Sequence, residues 1–569
     1  MNRFLGILFL LPPFYGWGQA SLRKLPTVIN HPAINTYAPY ISLDGNSLLF
    51  VSDNAEDNTL TLFFSSKRDG VNWSEPVMMP KNVNSRLNFL KGYALNADGS
   101  TLYLTSLKSG GLGGFDILLS QRRGTQWAEP VNLGLPVNSR QHEACPSLSA
   151  DETSLYFMRC DKMDQKSAEG CVLWVSKKSR IGKWEEPTPL PDFINTGNSQ
   201  APRILGDGET LIFSSDKFPQ GKGGMDLYLT RLKEGQWSKP VPLSFANSTQ
   251  DDQYVSASSL GRYLLKDQPG SRKNEIVEAL FPAELKPKAL ARIEGVVSGL
   301  ADPSSSYVAV FNLQNQKWEF NGRPEKNGGF VIYLKEGATY DLSAEPGTSG
   351  YTFDSKRYDF TEKIPLFEKV GMTLRPLAKS VQIDLDGIGF KPFSSSISDA
   401  SIPELNRLTR MIKGNPNNTF QLEVILQGYQ SDSLQSDQDL TELIIDTLHY
   451  KIEKQIPDIH KVDSLIEAMN SELEVVRQAA NDSAYTSSFN QMNRLIDSVR
   501  QFAFVTVVED SIRIKKTYHN DRTKAQAKAI ADYLGKEGAP PGKVLFLTRA
   551  VVENVAGNRT TKVRLTVVE

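Results

Sequence analysis

The stretch WSEPV (73–77) returns as WAEPV (127–131), WEEPT (184–188) and WSKPV (237–241). A Trp, two further residues and a Pro, repeated at steps of roughly 50–60 residues, mark a repeated supersecondary unit. Ahead of each Trp stands a tight-turn segment: SLDGNSLLF (42–50), NADGSTLYL (96–104), SADETSLYF (149–157) and LGDGETLIF (205–213). Asp-Gly suits such a turn because Gly accepts positive φ and Asp bonds nearby backbone. The apolar runs after each turn predict strands, and GGFDILLSQR (113–122) and GGMDLYLTRL (223–232) predict the next strand of the unit. Each unit is therefore expected to hold four short antiparallel strands.

A weaker fifth unit follows in QYVSASSLGRYLLKD (253–267) and NEIVEALF (274–281), without a Trp-Pro strand. The segment LRKLPTVIN (22–30) resembles the end of the second unit, PVNLGLPVN, and is expected to complete the last sheet. The expectation is an all-β propeller of about five blades over 21–288, six being the alternative, with few free sheet edges. The Trp residues are read as apolar plates between blades and the Pro residues as strand edges.

The bulk numbers fit several domains. The chain has 569 residues, with 64 Lys and Arg against 65 Asp and Glu. That balance argues against a nucleic-acid partner. The start, MNRFLGILFLLPPFYGWGQA, has the charged, apolar, small-residue order of a secretory signal over 1–20. No later run is apolar enough to predict a transmembrane segment. Export permits disulfides, and Cys160 and Cys171, at facing ends of two strand-like runs, are the expected pair; Cys145 is expected to be a buried thiol.

The repeats, above all 201–237, resemble the TolB-type propeller repeats of exported bacterial proteins, over about 34–285. The element NGGFVIYLKEGATYDLSAE (327–345) resembles the carboxypeptidase-regulatory-like β-sandwich, over about 289–376. Such a resemblance implies a small β-sandwich acting as a spacer. From 377 to 569 an amphipathic helix within 397–429, with Leu405, Leu408 and Ile412 at helical spacing, an alternating strand, a second helix within 523–546 ended by Gly535 and Gly538, and closing strands give a β-α-β-α-β order. This order resembles the α/β OmpA-like domain, whose family grips peptidoglycan. The resemblance places Ser431 and Gln526 where that family carries an Asp and an Arg, with Asp432 and Arg522 close by as substitutes. A zwitterionic wall peptide needs an anion and a bidentate cation, so the motif is degenerate. An insertion at 433–516 has apolar residues at three- and four-residue steps and predicts amphipathic helices.

No metal site, cofactor motif or catalytic elbow is recognised among the five His residues and the Gly-rich loops. His142 and Cys145 are read as structural, and Asp384 and Asp386 as strand and turn residues. The three-domain order resembles PorE-type envelope proteins of Bacteroidetes. That resemblance implies a periplasmic, outer-membrane-associated scaffold without enzymatic activity. Its propeller would bind an envelope protein partner and its OmpA-like domain peptidoglycan or a second protein, linked to type IX secretion or gliding. The alternative is a carbohydrate-binding or carbohydrate-processing propeller, which acids and aromatics at the channel mouth would favour.

Overall fold

The computed structural model describes residues 22–569 except 54–59, 86–91, 108–110, 165–166, 219, 270–272, 393, 428–441, 479–481, 503, 520–521, 548–550 and 554–559. The expected signal, 1–20, lies outside the described residues. The chain forms two compact units that divide after Pro376.

Unit 1 opens with five small antiparallel sheets, one per sequence repeat. The first runs Thr36–Ile41, Ser47–Asp53, Leu60–Ser66 and Val77–Met78, from the inside outward. The second, third and fourth repeat this order from Tyr93–Leu95, His142–Leu148 and Gln200–Ile204. The fifth has Tyr263–Pro269 and Asn274–Leu280, with Ser256 bridged to Leu265 on the inside. Its outer strand is Leu22–Lys24, with Leu22 opposite Ala279 and Lys24 opposite Val277. The first residues described thus finish the last sheet. The fifth sheet also meets the first, where the Ile41 amide donates to Ser256 Oγ (3.0 Å).

Local chemistry sets the repeat. The turn after each inner strand holds a left-handed residue: Gly45, Gly99, Glu152, Gly208 and Gly261. In four of them an Asp or Asn accepts from the backbone just ahead, as Asp207 Oδ1 does from Thr210 N (2.9 Å). Each Trp ends the third strand: Trp73 bridges Lys67, Trp127 faces Arg122, Trp184 bridges Lys178 and Trp237 faces Leu232. Its ring then packs on the preceding sheet, as Trp237 does edge-on to Tyr156 at 6.2 Å.

An asparagine, buried or half-buried, completes each unit. Asn30, Asn84, Asn138, Asn195 and Asn247 accept from the backbone N–H of Ile276, Leu62, Ile117, Leu173 and Leu227, at 2.8–2.9 Å. Each amide also donates back to the same residue's carbonyl. The side chain thus replaces a missing length of fourth strand. That Asn30 serves the fifth sheet ties the start of the described chain to its last repeat.

The rest of unit 1 is a two-sheet sandwich. One sheet orders Gly329–Lys335, Leu290–Ser298 and Phe367–Thr373. The other orders Lys317–Gly322, Tyr307–Asn312, Thr339–Glu345 and Asp354–Asp359. Val308, Val310, Ile332, Leu342 and Leu374 fill the space between. Lys335 and Lys288 reach Glu209, at 2.6 and 3.2 Å, so the sandwich lies on the turn side of the sheets.

Unit 2 has a mixed sheet ordered Gln382–Asp384, Thr560–Val567, Phe420–Gln427 and Val544–Phe546, with Val551–Glu553 continuing the last edge. Helices Ile402–Gly414 and Arg522–Lys536 bury Leu405, Leu408, Ile412, Ile530 and Leu534.

The insertion departs from expectation. Glu442–Pro457 is a strand, paired antiparallel along its whole length with Phe504–His519. The two helices, Ile459–Gln478 and Asp482–Phe502, stand at the far end of this ribbon. From Asp446 onward the apolar residues Leu448, Tyr450, Ile452 and Ile456 fall on even positions only. That is a two-residue period, and the β-branched run opposite it decides for sheet. The arm spans 442–519, against the expected 433–516. No helix among the described residues is long and apolar enough to cross a membrane.

Candidate functional site: the channel through the sheets

The innermost segments of the five sheets converge on one axis. Each carries a left-handed residue at the same place: Ala38 (φ 46°), Gly92 (74°), Cys145 (55°), Ala201 (48°) and Tyr254 (50°). Pairing registers shift beside Ala38, Cys145 and Ala201, so these are β-bulges. A Cβ on Gly92 would stand 3.1 Å from Cys145 Sγ, which shows how tightly the backbones approach. Four of the five positions hold small residues, and the fifth holds a tyrosine.

Arg203 occupies the middle of the axis. Its Nε donates to the Val255 carbonyl (3.0 Å) and Nη2 to that of Tyr93 (3.3 Å). The guanidinium carbon lies 4.8 Å from the Tyr40 ring centre. Tyr40 in turn donates to the Leu95 carbonyl (2.7 Å). Arg203 therefore ties four of the five sheets together. A space of about 40 Å³, room for water, remains beside it on the turn side.

At the end away from the turns, Tyr37, Tyr254 and Asp267 each keep part of their surface open. Asp53 stands on the neighbouring strand end, accepting from the Asn35 backbone (3.4 Å) and side chain. Burial, aided by the charge of Asp252, pushes the Asp267 carboxyl up to about 7; Lys266 and a backbone hydrogen bond act against this. Lys266 points away from it and forms a fully buried ion pair with Asp252, donating also to the Ala246 carbonyl (2.7 Å). Burial and then Asp53 and Asp267 raise the Tyr37 phenol. Burial, Cys145 and Asp267 raise Tyr254 well above the usual tyrosine value. This end thus presents phenolic O–H donors and a carboxyl held well above the usual carboxylate range.

At the turn end, a cavity of about 820 Å³ separates the turns from the sandwich. Asp98, Asp151, Glu152, Lys177, Arg292 and Tyr333 are among its lining residues.

The residues singled out in the sequence fall elsewhere. Cys160 and Cys171 form a disulfide, and Cys145 is a buried thiol outside any disulfide, at the channel axis. His142 lies beside Phe115, whose backbone N–H donates to Nδ1 (3.3 Å). Asp384 accepts from Arg564 (2.7 Å) and Asp386 lies 3.7 Å from Lys562, so each has a cation of its own. Asp226 holds the loop before it by accepting from Lys222 N and Gly223 N. Arg522 and Gln526 lie on the first turns of helix Arg522–Lys536, both buried. Ser431 and Asp432 lie outside the described residues. Among the described residues no group of three or more His, Cys, Asp or Glu could hold a metal ion. Sequence reading missed Tyr37, Arg203, Tyr254 and Asp267. The available signal was Ala38-Pro39, Cys145-Pro146 and Ala201-Pro202, a small residue before Pro at the repeat spacing.

No protein-family model and no curated protein matches the chain. Among solved structures it is similar to a TolB candidate from Agrobacterium tumefaciens, 15% identical over 53% of this chain and 90% of that one, with a TM-score of 0.28. It is also similar to an endo-arabinase from Bacteroides thetaiotaomicron (17%, 47% and 99%, TM-score 0.33). A third is a Bacillus subtilis arabinanase (14%, 44% and 95%, TM-score 0.29). Likenesses this small assign no activity. They do correct one expectation: with named hydrolases among the similar structures, the chain is no longer read as lacking enzymatic activity. What the chain itself supports is a mostly β, propeller-like first unit.

Proposed function

We propose that unit 1 is a propeller-like protein that binds and processes a carbohydrate at the open end of its channel. The observation that carries this reading is the convergence of Tyr37, Asp53, Tyr254 and Asp267, from the first and fifth sheets, at that end. Tyrosine rings offer flat apolar faces with a polar tip, which suits a sugar's C–H face and hydroxyl rim. Glycoside cleavage needs one carboxyl that holds its proton and a second that is ionised. We assign Asp267, whose carboxyl is raised, to the first role and Asp53, which accepts from Asn35, as its partner carboxyl. The test is binding and reducing-end release with arabino-, xylo- and cello-oligosaccharides and with peptidoglycan glycan strands. Asp267→Asn should abolish release while leaving binding, and Tyr254→Ala should weaken binding at least tenfold. Failure of every sugar to bind, or an Asp267→Asn variant as active as wild type, would sink the reading.

A second reading is favoured by the make-up of unit 2. Its strand–helix–strand–helix–strand order around a mixed sheet supports an OmpA-like domain. In this reading the protein is exported to the periplasm and held near the outer membrane. Unit 2 tethers it to peptidoglycan or to another envelope protein, in a type IX secretion or gliding assembly. Fractionation of cells, with co-sedimentation on purified peptidoglycan, tests it; a cytoplasmic protein would end it.

A further inference from the structure

The arm of unit 2 is a two-stranded ribbon, Glu442–Pro457 against Phe504–His519, with no third strand among the described residues. At about 3.3 Å per residue each edge runs about 50 Å. A two-stranded ribbon is marginal alone in water, and an open edge of this length invites another strand. The ribbon also leaves large apolar residues in solvent: Leu448 is 47% exposed, Tyr450 44% and Ile456 41%.

The order of residues along Glu442–Pro457 says what fits that edge. Successive side chains alternate between faces, so Asp446, Leu448, Tyr450, Ile452 and Lys454 share one face. Read from either end about Tyr450, this series matches itself: apolar opposite apolar, and an acid opposite a base. A twofold axis normal to the sheet pairs each residue with one on the same face, as antiparallel pairing about Tyr450 does. Leu448 then meets the partner copy's position 452, and Asp446 meets its position 454. On the other face Thr447 meets position 453 and His449 meets position 451. From Asp446 to Lys454 no acid stands opposite an acid. The one tie Lys454 already has, to Glu509 at 2.6 Å, is between half-exposed side chains and worth little.

We propose that two copies of this chain associate through the Glu442–Pro457 edges, antiparallel about a twofold axis at Tyr450, joining two ribbons into one four-stranded sheet. Such an interface is isologous, each copy offering the same strand. Main-chain hydrogen bonds supply affinity and the alternate side chains supply register.

The test uses the full mature chain in analytical ultracentrifugation over a concentration series. Wild type should show a concentration-dependent dimer. Asp446→Lys alone and Lys454→Asp alone each place two like-charge pairs across the axis and should raise the dissociation constant about tenfold or more. An equimolar mixture of these two variants should dimerise again, because each lysine then faces an aspartate. The double variant Asp446→Lys/Lys454→Asp should also recover. Recovery shows that the arm still folds in the single variants. Separately, Tyr450→Cys should cross-link between copies under mild oxidation, while Leu448→Cys should not. A wild type monomeric at every concentration overturns the proposal. So does a mixture no tighter than its components, or a Tyr450→Cys variant that does not cross-link.

Discussion

Asn138→Ala is the most direct trial of the repeat architecture. Asn138 is fully buried between the second and third sheets. Its Oδ1 accepts from Ile117 N (2.9 Å), and its Nδ2 donates to Ile117 O (2.9 Å) and Asn132 Oδ1 (2.7 Å). Truncation leaves the Ile117 N–H without a partner in a dry environment, at about 1–3 kcal/mol. The Ile117 carbonyl keeps one bond, from Leu133 N (3.0 Å), so its loss is nearer 1 kcal/mol. The expected cost is about 2–4 kcal/mol. All seven Trp residues precede residue 377, so tryptophan fluorescence in a urea titration of the protein reports unit 1 alone. Asn30→Ala should cost about as much, since Asn30 makes the equivalent bonds to Ile276 in the fifth sheet. Its partner lies 246 residues away, so its loss also loosens the tie between the first residues described and the last sheet. A loss below about 0.5 kcal/mol for Asn138→Ala would refute the strand-replacement role. A normal cost there with none for Asn30→Ala would refute the anchoring of the early segment to the last sheet.

Three further outcomes are expected. Asp267 titrates near 7 in the folded protein, above the usual carboxylate value of about 4. The folded state therefore holds the extra proton, and its contribution is present below about pH 4 and lost as pH rises through 7. Asp267→Asn should raise the unfolding midpoint at pH 8 and leave it near wild type at pH 4; equal gains at both would show that the carboxyl does not carry this burden. Lys266→Met should cost about 3–5 kcal/mol by stranding the buried Asp252, and the Asp252→Asn/Lys266→Met double variant should cost clearly less, both read from urea midpoints. Replacing Cys160 and Cys171 together by Ser frees a short loop, 11 residues apart in sequence, and should cost about 3 kcal/mol in oxidised protein and nothing in reduced protein.

These predictions bear on what the sequence could convey. The repeat was legible because each unit solves its turn and strand end locally. Asp-Gly sets a left-handed turn, and a Trp two residues before Glu-Pro or Lys-Pro closes a hairpin, whatever the rest of the chain does. Glu152 marks the limit of that logic, since it takes the left-handed place that Gly fills in the other turns. The asparagines were equally periodic, as VIN, NVN, PVN, FIN and FAN, yet their role needs the third strand to be in place. Asp267 was not legible at all. Its raised pKa comes from enclosure and from Asp252, and neither is visible from the residues beside it. The arm failed for a different reason. The run from Asp446 to Ile456 satisfies a helical and a two-residue period together, and only a partner strand beginning at Phe504 decides between them. Where a residue's state is set by its own turn, sequence sufficed. Where it is set by a distant sheet, as for the channel acid and the arm, only the folded chain could say, and both places are where the function of this protein is now to be sought.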